Sequence, residues 1–200
     1  MKMMNRRVMI IGAGGIGSFL TQFLQRLGYK ITLYDDDGVE KKNVGYQNFT
    51  TRDIGENKAR VLSDRIWDTD SKGTVADEPY RVLTAKQLNG YHLVICCADN
   101  LAVRRLLYQQ GFGTDAKLKW LDLRAQGRNA ALISYKIDPN LMDAFLAGQE
   151  GSFSCQATDW DGSSKDIDCM NIAIAGIATQ WIQKWFNDND DVIDKMVLNL

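Results

Sequence analysis

The stretch Val8-Met9-Ile10-Ile11-Gly12-Ala13-Gly14-Gly15-Ile16-Gly17 decides the fold. Its first four residues form a short apolar run suited to a buried strand. The residues that follow it, Ser18-Phe19-Leu20-Thr21-Gln22-Phe23-Leu24, carry helical spacing. Between strand and helix lies a glycine-rich turn. Gly12 permits the tight turn, Gly14 and Gly15 let the backbone come close to phosphate oxygens, and Gly17 lets the helix pack on the strand. The free N–H groups at the helix start then face an anion. The motif defines a nucleotide site but leaves open whether hydride or adenylyl chemistry follows.

Working outward, apolar runs alternate with helical patterns. The expected order is strand 7–11, helix 15–27 stopped by Gly28, strand 30–35, a polar loop over 36–55, and helix 56–68. Strands over 75–83 and 92–97, a helix over 100–110, and strands over 118–123 and 130–135 follow. A polar loop spans 148–168, then a helix over 170–186, and a last strand begins at 196. Such alternation predicts an α/β fold, a Rossmann-like, mostly parallel sheet with flanking helices. Proline occurs only at 79 and 139, no linker or repeat is evident, and one domain over residues 1–200 is expected.

Composition narrows the function classes. With 24 basic and 25 acidic residues the net charge is -1, which gives no electrostatic pull toward nucleic acid or an anionic membrane. No apolar run reaches the roughly 18 residues that a membrane span needs. Residues 1–7 lack the apolar region and cleavage site of a signal peptide. Four cysteines, two of them adjacent, do not read as a disulfide framework, so a reduced, cytoplasmic protein is expected.

Three sites fall just past strand ends: the glycine turn, Asp35 and Asp99. In an open α/β sheet such positions converge on one crevice. Asp35 stands 23 residues after Gly12, close to the spacing at which an acidic residue bonds a ribose hydroxyl, although Asp36 or Asp37 could face the site instead. Asp99 reads either as a helix N-cap or as a hard oxygen ligand. The loop before Lys58 is longer than a dehydrogenase usually has between its second strand and its next crossover. Lys58, in the first turn of the following helix, could place a cation on ATP phosphates; a solvated helix lysine is the plainer alternative.

Five segments in order resemble the ubiquitin-activating-enzyme-like ThiF/MoeB/HesA adenylating superfamily. They are Gly12-Ala-Gly-Gly-Ile-Gly17, Asp35-Asp-Asp37 with Val39-Glu40, Asn43-Val-Gly-Tyr-Gln47, Asp53-Ile-Gly-Glu-Asn-Lys-Ala59 and Cys97-Ala-Asp-Asn100. The likeness covers residues 7–110 well and 118–186 loosely. It implies an ATP-dependent adenylyltransferase that activates the C-terminal glycine carboxylate of a ubiquitin-like or sulfur-carrier protein as an acyl-adenylate. On that resemblance Asp35 and Asp37 belong to the nucleotide site, Asn43, Gln47 and Lys58 face the phosphates, and Asp99 holds Mg²⁺. Homodimers are usual among such proteins and are implied here too.

The chain departs from the family pattern at three places. Tyr46 stands where the family has an arginine, and tyrosine supplies neither the charge nor the bidentate fork; Arg52 lies close by in sequence. The paired C-x-x-C motif is absent, so no structural zinc is expected. Some relatives pass the acyl group to a cysteine; Cys155 is the first candidate and Cys169 the second, each set against an ordinary structural thiol. His92, at a strand start, reads as structural. Arg124 and Arg128 read as solvated, with contact to a partner carboxylate as the alternative, and Trp181 and Trp185 as core or dimer contacts. A catalytically weakened ATP-binding module and an NAD(P)-dependent oxidoreductase stand as alternative functions.

Overall fold

The computed structural model describes residues 6–65, 73–112, 118–147, 169–187 and 191–200. Seven strands form one sheet: β1 (Arg7–Ile11), β2 (Lys30–Tyr34), β3 (Thr74–Glu78), β4 (Leu93–Cys96), β5 (Trp120–Gln126), β6 (Asn129–Ser134) and β7 (Lys195–Asn199). Their spatial order is β3-β2-β1-β4-β5-β6-β7. The first five strands in that order run parallel, while β6 and β7 add antiparallel. Four of the six pairings are thus parallel and the sheet is mostly parallel, as expected. Gly127, at a φ of 54°, turns β5 directly into β6, so this pair is a hairpin rather than a crossover.

The helices are α1 (Gly17–Arg26), α2 (Lys58–Asp64), α3 (Leu101–Gly111), α4 (Met142–Leu146) and α5 (Met170–Asn187). Side chains alternate across β1, and the period of two divides the core. Val8 and Ile10 join Leu20 and Leu24 of α1, Leu62 of α2, and Ile174 and Ile182 of α5 on one face. Met9 and Ile11 join Leu107 and Tyr108 of α3, with Trp120, on the other. Each fully buried side chain of this size contributes roughly 1.5–3 kcal/mol. Strand β1 has a partner on both edges and helices on both faces, which is why its sequence is an unbroken apolar run. Among the described residues no helix is long and apolar enough to cross a membrane.

Three boundaries differ from expectation for local reasons. Strand β3 stops at Glu78 instead of continuing to 83, because Pro79 has no N–H to donate to a ladder; Leu83 is left 74% exposed. Helix α2 starts at Lys58 rather than 56, since the Asn57 side chain accepts the Arg60 N–H and caps it. Helix α4 was not expected; Asp138 accepts the Asn140 N–H and Pro139 opens a 3₁₀ turn that leads into it.

The polar segment after β2 is ordered by a few anchors. Val39 and Phe49 are buried among its polar residues. Short 3₁₀ turns form at Lys41–Asn43 and Thr51–Asp53. The Asn48 side chain donates to the Ser18 carbonyl and to Gln22 of α1, at 3.3 and 3.0 Å, and Arg65 pairs with Asp53. The segment is therefore a wall packed on α1, held there by side-chain hydrogen bonds and two apolar plugs.

Candidate active site

The glycine turn is built on backbone contacts that admit no side chain at two positions. At Gly12, with φ at 95°, an added Cβ would lie 2.8 Å from the Ala98 nitrogen of the β4–α3 turn. At Gly17 it would lie 1.8 Å from the Gly12 carbonyl oxygen. These two glycines let α1 start directly against the end of β1. Gly14 differs, because a Cβ there meets nothing within 4 Å. That open space belongs to a cavity of about 500 Å³ at the carboxyl ends of β1, β2, β3 and β4.

Gly12, Gly14 and Gly15 line one side of this cavity, and Asn43, Gln47 and Lys58 line it from the 36–58 segment. Asp35, Asp36, Asp37 and Asp99 complete the acidic rim. Gly17 is outside the lining and acts through packing alone. Arg52 is exposed and also outside the lining, and Cys155 lies outside the described residues. Cys169 is exposed at the start of α5, beside a separate cavity that Gly127 and Leu200 also line.

Each acidic residue after β2 has its own partner. Asp35 accepts the Ala13 N–H at 2.6 Å and the Asp37 N–H at 2.8 Å, so it ties the end of β2 to the glycine turn. Burial raises its pKa above that of an ordinary aspartate, against the opposing pull of Lys58 and the two N–H donors. Asp36 accepts from Arg81 Nε at 2.6 Å. Asp37 accepts from Lys58 Nζ at 3.1 Å. The Asn57 side chain donates to the carbonyls of Asp35 and Asp37, which fixes the segment against α2. Carboxylate oxygens of Asp35, Asp36 and Asp37 come within 4.8 Å of one another. Their commitment to N–H, guanidinium and ammonium donors makes them poor metal ligands.

Asp99 is placed differently. The cap of α3 is Asn100, whose side chain accepts the N–H groups of Ala102 and Val103 at 2.9 and 3.3 Å. The N-cap alternative for Asp99 is thus taken by its neighbour. Asp99 lines the cavity and makes no hydrogen bond among the described residues. Asp99 interacts electrostatically with Arg104 but carries no hydrogen-bonded donor, so this partly exposed carboxylate on the cavity is freer to accept a Mg²⁺–phosphate group than the three paired aspartates are.

The cavity is lined by both polar and apolar groups. Lys58, with only 8% of its side chain exposed, is among the polar ones with Gln47. Gln47 Oε1 is buried and has no donor among the described residues, while its Nε2 donates to the Tyr46 hydroxyl at 2.8 Å. Tyr46 is 5% exposed, so the side chain at the family's arginine position is a buried aromatic. Ile11, Tyr34, Val82 and Val103 form an apolar wall of the same cavity, all part of the α3-side core or packed against it. N–H donors and a lysine, carboxylates and an apolar wall, all on one cavity, are the kinds of surface that phosphate, ribose and base require.

Three contributors are absent from the residues expected at the site. Arg81 and Tyr80 line the cavity because β3 ends at Glu78; with the strand read to 83 they fell inside it, and Pro79 was the signal for the earlier stop. Asn171, from α5, is 1% exposed and donates to the Gly15 carbonyl at 3.1 Å and the Tyr46 carbonyl at 2.9 Å. It clips the glycine turn to the Tyr46 loop across 156 residues of chain, and no local pattern announces it. His92 accepts the Arg7 N–H on Nδ1 and is structural. Arg124 is not simply solvated: it donates to the fully buried Asp122, as do Arg104 and Tyr108. Trp181 is buried and donates to the Ile193 carbonyl.

The fold defines an α/β domain whose cavity lies at the carboxyl ends of parallel strands, beside the glycine turn, where open sheets of this kind place their ligands. The chain belongs to the ThiF family, whose family model matches residues 1–198. It is 32% identical over 105 residues to the sulfur carrier protein adenylyltransferase of Thermus thermophilus, a match covering 50% of this chain and 39% of that protein. It is also 32% identical over 110 residues to the sulfur carrier protein ThiS adenylyltransferase of Escherichia coli, covering 52% and 43%. These matches thus span less than half the length of those curated relatives. In structure it resembles E. coli MccB solved with ATP, at a TM-score of 0.72 and 16% identity over 98% of this chain and 61% of that one. PaaA gives a TM-score of 0.68 at 19% identity, over 97% and 60%. At these identities the structural likeness establishes the fold.

Proposed function

We propose that this chain binds ATP in the 500 Å³ cavity and adenylates the C-terminal carboxylate of a small carrier protein or peptide. A carboxylate oxygen of the carrier attacks the α-phosphorus. The bond from that phosphorus to the bridging oxygen breaks, and pyrophosphate leaves with the electron pair, giving an acyl-adenylate. The observation that carries this reading is Lys58 and Asp99 facing one cavity with the glycine turn and Asp35. A dinucleotide site needs the turn and Asp35 but neither of the other two. The relatives named as carrier-protein adenylyltransferases support the same reaction class.

The residues divide the work. The N–H groups of the glycine turn and Lys58 hold the phosphates and stabilise the charge that grows on the leaving group. Asp35 accepts from the ribose while it keeps the turn in place. Gln47 presents an acceptor oxygen, without a donor among the described residues, to whatever occupies the cavity. A Mg²⁺ ion arriving with the nucleotide would offset phosphate charge, and Asp99 is the residue that would hold it. Binding and orientation supply the rest, since a carboxylate already oriented for attack at phosphorus removes much of the entropic part of the barrier.

ATP–pyrophosphate exchange tests the reading. Exchange should require Mg²⁺ and a carrier with a C-terminal glycine, and Asp99→Ala should abolish it. Exchange that survives Asp99→Ala removes the role given to that residue. A second reading, an ATP-binding module without turnover, is favoured by one observation: Tyr46 is buried and bonded to Gln47 where the family places a cation. ATP binding without exchange, given the correct carrier, would select it. Tight NADH binding with no ATP signal would return the site to oxidoreductase chemistry.

A further inference from the structure

Arg81 lines the cavity next to Val82 with an unused half of its guanidinium. The residue follows β3, and its backbone carbonyl accepts from Gln87 Nε2 at 3.1 Å. The Gln87 Oε1 atom in turn accepts the N–H groups of Leu83 and Thr84, which braces the whole 81–87 turn. The next residue, Val82, is 2% exposed and forms part of the apolar wall. Arg81 is therefore fixed at its backbone from below. Its side chain is fixed from the side, because Asp36 accepts its Nε at 2.6 Å.

That contact uses only Nε. The two terminal nitrogens have no hydrogen-bond partner among the described residues, and the side chain remains 59% exposed on the cavity lining. A free surface arginine gives up rotamer entropy when it is immobilised. Here Asp36 already meets part of that cost, so the open donors are partly preorganised. Their position is set by topology. In the sheet order β3-β2-β1, the end of β3 lies two strands from the glycine turn, on the side of Asp35 and Asp36. Lys58 is held by Asp37 and Arg81 by the neighbouring Asp36, and of the two cations it is Arg81 that directly precedes Val82 of the apolar wall.

We propose that Arg81 is a nucleotide-specificity residue of this site: Asp36 holds its Nε, and its two terminal nitrogens donate to acceptor atoms of the base or ribose seated against Val82. The proposal rests on the nucleotide reading above and adds the residue that selects the nucleoside half of the ligand. It also separates this role from Tyr46. A guanidinium beside Val82 raises affinity for the base and sugar without replacing a cation at the phosphates.

Calorimetric titration of the intact chain with ATP, adenosine and inorganic tripolyphosphate tests it, using the wild type, Arg81→Ala, Arg81→Lys and the control Arg52→Ala. Arg81→Ala should weaken ATP and adenosine by the same factor, about tenfold, and leave tripolyphosphate unchanged. Arg81→Lys should recover only a minor part, since a point charge lacks the planar fork. Arg52→Ala, which removes an exposed cation outside the lining, should change none of the three. Equal loss of tripolyphosphate affinity in Arg81→Ala would make the residue a phosphate ligand and overturn the proposal. So would unchanged ATP and adenosine affinity in a variant that unfolds at the wild-type temperature. A wild type that takes up tripolyphosphate but neither ATP nor adenosine would overturn the nucleotide reading itself.

Discussion

Gly14 and Gly17, three residues apart in one turn, should respond to the same methyl group in opposite ways. At Gly17 the added carbon would stand 1.8 Å from the Gly12 carbonyl oxygen, which is backbone and fixed by β1. An ordinary contact needs about 3.4 Å or more, so α1 and β1 must separate by more than 1 Å or the turn must be rebuilt. Overpacking of a well-filled core costs typically 1–3 kcal/mol and more when backbone must move, so about 3 kcal/mol is expected for Gly17→Ala. For a chain of this length that lowers the unfolding temperature by roughly 6–12 °C. At Gly14 the same carbon meets nothing within 4 Å. Gly14→Ala should leave stability unchanged or raise it by up to about 1 kcal/mol, through the lost freedom of the unfolded chain. Its methyl group projects into the space given to phosphate, however, so ATP affinity should fall at least tenfold. Thermal unfolding and ATP titration on both variants check this. A stable Gly17→Ala would refute the packing argument, and wild-type ATP affinity in Gly14→Ala would refute the placement of the phosphates.

Other consequences follow from single contacts. Asn100→Ala should cost about 1 kcal/mol of stability by removing the α3 cap, whereas Asp99→Asn should leave the unfolding midpoint in place and remove exchange activity. Asp122→Asn should cost about 3 kcal/mol, measured by urea unfolding, because it leaves the buried Arg104 and the half-buried Arg124 without their shared carboxylate. For Asp35, burial raises the pKa and so favours the protonated form in the folded state. The stability this group contributes is present at low pH and lost as pH rises through its folded pKa. The ionised form is the stronger acceptor for a ribose hydroxyl, so ATP affinity should move the other way. It should fall as pH drops, beginning above the range of an ordinary aspartate, and titrations across pH on Asp35→Asn should show a flattened profile.

Much of this was legible locally. The apolar run at Val8–Ile11 and the glycines after it encode strand, turn and helix start through steric rules that act within ten residues. Asn57 and Asn100 cap helices through bonds spanning two or three residues. Even the end of β3 was readable, because Pro79 cannot donate to a ladder. The roles of Asp99 and Asn100 were less so: either could have capped α3, and only the built helix start assigns the cap to Asn100 and leaves Asp99 on the cavity.

By itself the sequence determined the order of the elements, the nucleotide turn, and the strand ends at which Asp35 and Asp99 stand, because backbone sterics and hydrophobic period act over short distances. Tertiary structure alone decided which side chains share the cavity. Arg81 reaches Asp36 across 45 residues, Lys58 reaches Asp37 across 21, and Asn171 reaches Gly15 across 156. Those partners are brought together by strand order and by the packing of α5 on α1, which depend on burying both faces of one sheet at once, and no short stretch of chain carries that information.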